Sequence, residues 1–327
     1  MAINTTIFGK LADGQKVEKI TIKEKNGTQV SILTFGAVIQ EFLVPCRGEL
    51  RNIVFSSPSL DDYISDGSYK GQIVAPYANR IANARFSLDG HEYVLEKNNG
   101  ENNLHSGSAN LGQRIWNVIF QTENSVVLNC EHKDGEGGFP GNIGVTVAYL
   151  LENGRLTISY TMSSDRKCAV NPTNHTYFNL KGDGSSILDH RVMIAADKVV
   201  MVDDSLIPTD VVPVAGTDFD FTSFHEVGGR RGGRYDHCFV FNAAQKAEVV
   251  CDGLSLTVDT DRPGMQLYTG EFNPSCNCLW PSSGPFCALA LETSEYPDAV
   301  NRKDFPSAVL DAGQVFKTRT SYTVREV

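Results

Sequence analysis

Ile143-Gly144-Val145-Thr146-Val147-Ala148-Tyr149-Leu150-Leu151-Glu152-Asn153-Gly154-Arg155-Leu156-Thr157-Ile158-Ser159-Tyr160 is the stretch whose alternation decides the fold. Ile143, Val145, Val147 and Tyr149 share one face of an extended chain, and Leu156, Ile158 and Tyr160 share one after the turn. Successive side chains of a strand point to opposite sides, so such a pattern buries one face. Between the two halves, Asn153-Gly154 is suited to a tight hairpin. Working outward, Leu254, Leu256 and Val258 repeat the alternation behind Asp252-Gly253, and Asp89-Gly90 supplies another turn pair. Long helical periodicity and regular βαβ alternation are absent. One short helix is expected near Ser59 to Tyr63, capped by Ser59. The expected class is all-β, a meander of antiparallel strands forming one large β-sandwich domain over residues 1–327.

Composition agrees. A chain of 327 residues can bury a large core, and Gly 29 and Pro 13 beside Phe 17 and Tyr 11 favour strands and turns. A net charge of −10 argues against nucleic acid or an anionic membrane as the main partner and leaves room for a neutral polar ligand. Met1-Ala2-Ile3-Asn4-Thr5-Thr6 lacks the basic and apolar regions of a signal peptide, and no apolar run approaches the roughly 20 residues of a membrane span. The eight cysteines are scattered, and the close pair Cys276 and Cys278 has poor spacing for zinc or a redox centre. Reduced thiols in a cytoplasmic protein are expected.

Several segments carry ionisable groups. Asn171-Pro172-Thr173-Asn174-His175-Thr176-Tyr177-Phe178-Asn179-Leu180 reads as a polar strand walling a wet pocket, with Thr173, His175 and Tyr177 on one face. A core histidine with satisfied ring nitrogens is the plainer alternative. In Phe286-Cys287-Ala288-Leu289-Ala290-Leu291-Glu292-Thr293, alternation groups Phe286, Ala288, Ala290 and Glu292. Two alanines would leave open space above the sheet, with Glu292 at its edge. Partial desolvation there would raise the carboxyl pKa toward neutrality, as a general base needs; a glutamate ending a strand in solvent fits too. His105, before Ser106-Gly107, could approach a ligand closely or cap a turn. His105, His175 and Glu292 would make a two-histidine, one-carboxylate set, but their spacing shows no metal pattern, so no metal is expected.

Asp236 could accept ligand hydroxyls, Gln266 and Asn79 offer both donor and acceptor, and Arg80 offers a rigid fork of donors. For Asn79 and Gln266 a role as loop staple is the simpler reading. The run Gly228-Gly229-Arg230-Arg231-Gly232-Gly233-Arg234 lacks the ending of a phosphate-binding P-loop and reads as a solvated loop.

Taken together, Asn79-Arg80-Ile81, Asn103-Leu104-His105, Asp134 through Pro140-Gly141, Asn174 through Leu180, Tyr235-Asp236-His237, Pro263 through Thr269, and Glu292 with Tyr296-Pro297-Asp298-Ala299-Val300-Asn301 resemble the aldose 1-epimerase (galactose mutarotase) family over nearly the whole chain. The resemblance implies a large antiparallel β-sandwich of the galactose mutarotase type with the sugar in an open cleft. It implies Glu292 as general base, His175 as general acid and His105 as a second active-site histidine, with Asn79, Arg80, Asp236 and Gln266 at the sugar. It implies no metal or organic cofactor, a free monosaccharide such as galactose or glucose as ligand, and no obligate protein partner. Departures from the family's usual pattern are Ala75-Pro76, Ser106 and Ser294, which bear on sugar preference. Two rivals stand beside this reading. One is a hexose-6-phosphate 1-epimerase using Arg230, Arg231 and Arg234; the other is a noncatalytic sugar-binding protein on the same fold.

Overall fold

The computed structural model describes residues 1–327. Alternation dominates the result. Ile143–Glu152 and Arg155–Ser164 form a hairpin in which Glu152 pairs with Arg155, and Asn153 and Gly154 both take positive φ. Asp89-Gly90 and Asp252-Gly253 turn their hairpins the same way. These turns need left-handed backbone at both central residues to match the twist of the strands.

Three antiparallel sheets carry the molecule. The N-terminal residues make a five-stranded meander from Ala2 to Asn52. A nine-stranded sheet centres on Arg155–Ser164 and Val315–Glu326. A six-stranded sheet runs in the order Tyr177–Phe178, Leu289–Ser294, Gly264–Tyr268, Asp236–Phe241, Ala196–Val202 and Pro208–Pro213. One cluster of 53 buried apolar residues joins all three: Ile32 and Phe42 from the first, Val147, Leu256 and Tyr322 from the second, Leu267, Leu289 and Leu291 from the third. Tyr322 marks the junction, its ring 5.1 Å from that of Phe178 and its hydroxyl donating to the Leu291 carbonyl at 3.3 Å. The α-helix is a single short one, Leu60–Ser65, with the Ser59 side chain accepting from the Asp62 N–H as expected. No helix is long and apolar enough to cross a membrane.

Two local expectations are overturned. Residues 171–180 are not one strand. Thr173–Asn174 pairs with Ile73–Val74, Tyr177–Phe178 pairs with Leu289–Ala290, and the ladder breaks at His175 between them. Most polar groups there serve backbone rather than water. Asn171 takes hydrogen bonds from the Arg262 guanidinium and the Glu295 N–H, Thr173 donates to the Thr293 carbonyl, Asn174 to the Gly71 carbonyl, and Asn179 to the Cys287 carbonyl. Buried amides need such partners, and irregular neighbouring backbone supplies them.

The second correction concerns residues 286–293. The strand starts only at Leu289, and Phe286 has a left-handed φ. Ala288 and Ala290 do not open space above the sheet. Both pack in a cluster with Phe55, Tyr177 and Trp280, and the small side chains make room for these rings.

Candidate active site

The six-stranded sheet has two faces. Met265, Leu267, Leu289 and Leu291 point into the main core. Opposite them, the register sets Gln266 beside Glu292 and Cys238, and Tyr268 beside Ala290 and Asp236. Strand periodicity therefore gathers Asp236, Gln266, Tyr268 and Glu292 on one side, although they come from three strands. Loops complete the wall. Arg80–Ile81 pairs briefly with Asn103–Leu104, which brings His105 next to Asn79. The outcome is a cleft of about 570 Å³ into which Asn79, Arg80, His105, His175, Asp236 and Glu292 project. That volume suits a small polar molecule.

Glu292 and His175 lie side by side at its base, Oε1 3.5 Å from Nε2, each side chain only 5% exposed. Burial, reinforced by the Asp236 carboxylate and opposed by the Arg80 guanidinium, pushes the Glu292 carboxyl up to about 8. Burial likewise pulls the His175 imidazole down to about 4. Between those values the pair holds one proton. The His175 ring stacks on Tyr69 at 5.8 Å and packs tilted against Tyr177 at 4.9 Å.

His105 is fixed differently. The Asn79 N–H donates to its Nδ1 at 3.2 Å, and the His105 N–H returns a bond to the Asn79 carbonyl at 3.1 Å. An accepting Nδ1 leaves the proton of a neutral ring on Nε2, as a donor. Burial first, then the His175 and Arg80 charges, hold its pKa well below the usual histidine value. Both Asn79 and His105 have left-handed φ, 63° and 52°. Strain of that order persists where surrounding contacts over-determine it.

Arg80 Nε donates to Asn99 Oδ1 at 3.0 Å, which leaves its remaining donors free. Gln266 is the expected residue that does not line the cleft. Its Nε2 donates to Asp236 Oδ1 at 2.6 Å, and its Oε1 is buried without a partner. Burial raises the Asp236 pKa, which Arg80 and Gln266 oppose.

His105, His175 and Glu292 converge despite their separation in sequence, with one potential ligand atom of each within 4.8 Å of the others. The other candidates fall away from the cleft. Arg230 donates to the Thr217 and Asp220 carbonyls, Arg231 lies over the Phe219 ring, and Arg234 pairs with Glu271. Ser106 Oγ bridges the Tyr77 N–H and carbonyl, and Ser294 Oγ donates to the Glu295 carbonyl, so neither shapes the sugar-sized space directly.

Sequence reasoning missed the aromatic lining: Tyr69, Tyr268 and Phe272. Tyr69 packs 4.6 Å from the His105 ring and 5.8 Å from that of His175. The alternation of Gln266 and Tyr268 on one strand was a usable signal for Tyr268. Tyr69 lies on irregular backbone at φ 59°, where no pattern marks it.

The comparisons with known proteins follow the same line. The family model described as aldose 1-epimerase matches residues 18–323. The chain is 36% identical to galactose mutarotase from Rattus norvegicus, covering 98% of each protein. It is 33% identical to aldose 1-epimerase from Escherichia coli, over 95% of this chain and 96% of that one. A solved aldose epimerase homologue from C. elegans superposes with a TM-score of 0.89 at 28% identity, covering 94% of this chain and 99% of that one. With its antiparallel sheets of the galactose mutarotase type, this chain belongs to the aldose 1-epimerase family.

Proposed function

We propose that the protein interconverts the α and β anomers of free aldohexoses such as galactose and glucose, with Glu292 and His175 as the proton-transfer pair. The observation that carries this reading is the 3.5 Å spacing of the two groups in a buried polar cleft. Opening an aldopyranose requires deprotonating the C1 hydroxyl and protonating the ring oxygen. Both oxygens are bonded to C1, so acid and base must stand beside each other rather than on opposite walls.

Glu292 removes the hydroxyl proton as His175 protonates the ring oxygen. The C1–ring-oxygen bond breaks, the aldehyde rotates about C1–C2, and closure on the other face reverses both transfers. The reactive form carries the pair's single proton on His175. Burial favours the neutral arrangement, with the proton on Glu292, and the nearby Arg80 charge favours the ionised carboxylate. Arg80, Asp236 and Asn79 hold the other hydroxyls. His105 donates from Nε2 toward the developing oxygen charge. Gln266 acts through Asp236, holding its carboxylate toward the sugar.

The pair ends each cycle in its starting state, with no net proton taken up or released. The test is polarimetry or NMR anomer exchange on freshly dissolved α-galactose, α-glucose and glucose 6-phosphate. Acceleration of the free sugars over their spontaneous rates is expected. Saturable binding without acceleration would overturn the enzymatic reading, and acceleration of the phosphorylated sugar alone would overturn the substrate class. Unchanged rates after chelation are expected; their loss would mean that His105, His175 and Glu292 act through a metal.

A further inference from the structure

Beside the cleft, a lysine and a cysteine from distant segments meet. Lys70 is 1% exposed, a rare place for an ammonium, and its Nζ lies 3.3 Å from Cys276 Sγ. The Asp66 carboxylate stands 3.4 Å away on the same Nζ, and the Phe55 ring centroid 4.9 Å away. Cys276 is partly exposed, so a small oxidant can reach it, while its own N–H and carbonyl are both held by the Ser283 hydroxyl. The catalytic reading uses neither residue. Their segments nevertheless form two walls of the cleft: Asp66 to Tyr69 on one side, Phe272 to Pro274 on the other.

We propose that Lys70 and Cys276 are a peroxide-responsive modification site, closing to a covalent sulfur–nitrogen clamp between these walls. In the first step hydrogen peroxide oxidises the thiol. Its O–O bond breaks, an S–O bond forms, and the products are a sulfenic acid and one water. In the second step the Lys70 amine, having passed its ammonium proton to Asp66, attacks that sulfur. The S–N bond forms, the S–O bond breaks, and hydroxide leaves with the amine's displaced proton as a second water. Asp66 then releases its proton to solvent. A thiol reductant reverses the clamp by attacking sulfur and returning the amine.

The clamp fixes the walls through which sugar enters and product leaves, a motion that limits many enzymes. Full-length protein treated with peroxide should lose about 2 Da, yield a linked peptide containing Lys70 and Cys276, and regain its mass with dithiothreitol. Cys276→Ser and Lys70→Arg should each abolish the linkage. The anomerisation rate of the clamped sample should fall at least about two-fold and recover on reduction. A mass loss that survives in Lys70→Arg would overturn the proposal in favour of a disulfide with Cys278 or Cys287. No linked peptide, or an unchanged rate in fully linked protein, would overturn it as well. The mass readout is independent of the catalytic assignments.

Discussion

The two faces of the six-stranded sheet are built from the same strands, yet they obey opposite rules. On the core face Leu267, Leu289 and Leu291 are fully buried among apolar neighbours. On the cleft face Glu292 is buried and Asp236 half-buried, Gln266 Oε1 lacks a partner, and the Glu292 pKa is pushed up. One face contributes stability through burial. The other gives some of it up to hold charged groups away from water, which is the condition for tuned acid–base chemistry. Stability and reactivity are thus separated by a one-residue step along a strand.

That separation can be broken at Glu292. Glu292→Gln and His175→Asn should each slow sugar anomerisation by about 10²–10⁴-fold, with the circular dichroism spectrum unchanged. Wild-type rates in either variant, followed by polarimetry, would remove the residue from the mechanism. Leu291→Ala, one position along, should do the reverse. It should lose about 2–5 kcal/mol of unfolding free energy by denaturant titration while the rate per folded molecule stays close to wild type. A large rate loss with unchanged stability would contradict the division of labour.

The pH dependence sharpens the same contrast. The pair is active with one proton, so kcat/KM should be bell-shaped, falling below about 4 and above about 8, with the limb near 8 lost in Glu292→Gln. A profile flat through pH 8 to 10 would contradict it. Stability follows by linkage. The folded Glu292 pKa lies above its unfolded value of 4.5, so the folded state binds more protons between 4.5 and about 8. Its contribution to stability is therefore present below pH 4.5 and lost as pH rises toward 8. Glu292→Gln should match wild type in thermal melting near pH 4 and exceed it by roughly 3–6 °C near pH 8. Equal melting temperatures at both pH values would mean that the carboxyl is not desolvated.

Much of the sheet framework was legible in the sequence because strands and tight turns are local. The alternation from Ile143 to Tyr160 and the pairs Asn153-Gly154 and Asp252-Gly253 carry their own geometry. The cleft was legible residue by residue through Asn79, Arg80, His105, His175, Asp236 and Glu292, and less so in arrangement. Whether a buried amide meets water or a carbonyl depends on backbone far away in sequence. Asn171 and Asn174 therefore read as pocket wall although they staple loops. Ala288 and Ala290 marked a place where something large packs, and the sequence around them does not name Tyr177 and Trp280 as the occupants. Lys70 beside Cys276 joins residues 206 positions apart, and no spacing rule reaches that far.

Asn79 shows how such a site constrains its own descent. It holds a left-handed backbone, supports the His105 ring through its N–H, and lines the cleft. Among side chains that tolerate this backbone, few besides asparagine and aspartate carry polar atoms of the right reach. An exchange at this position disturbs conformation and cleft lining together, while the backbone N–H on the His105 ring remains available to any residue but proline. Asn99 meets the Arg80 guanidinium through its side chain from the next loop, at a residue without positive φ. A lineage changing its sugar preference, or an engineer seeking to, has the freer path through Asn99.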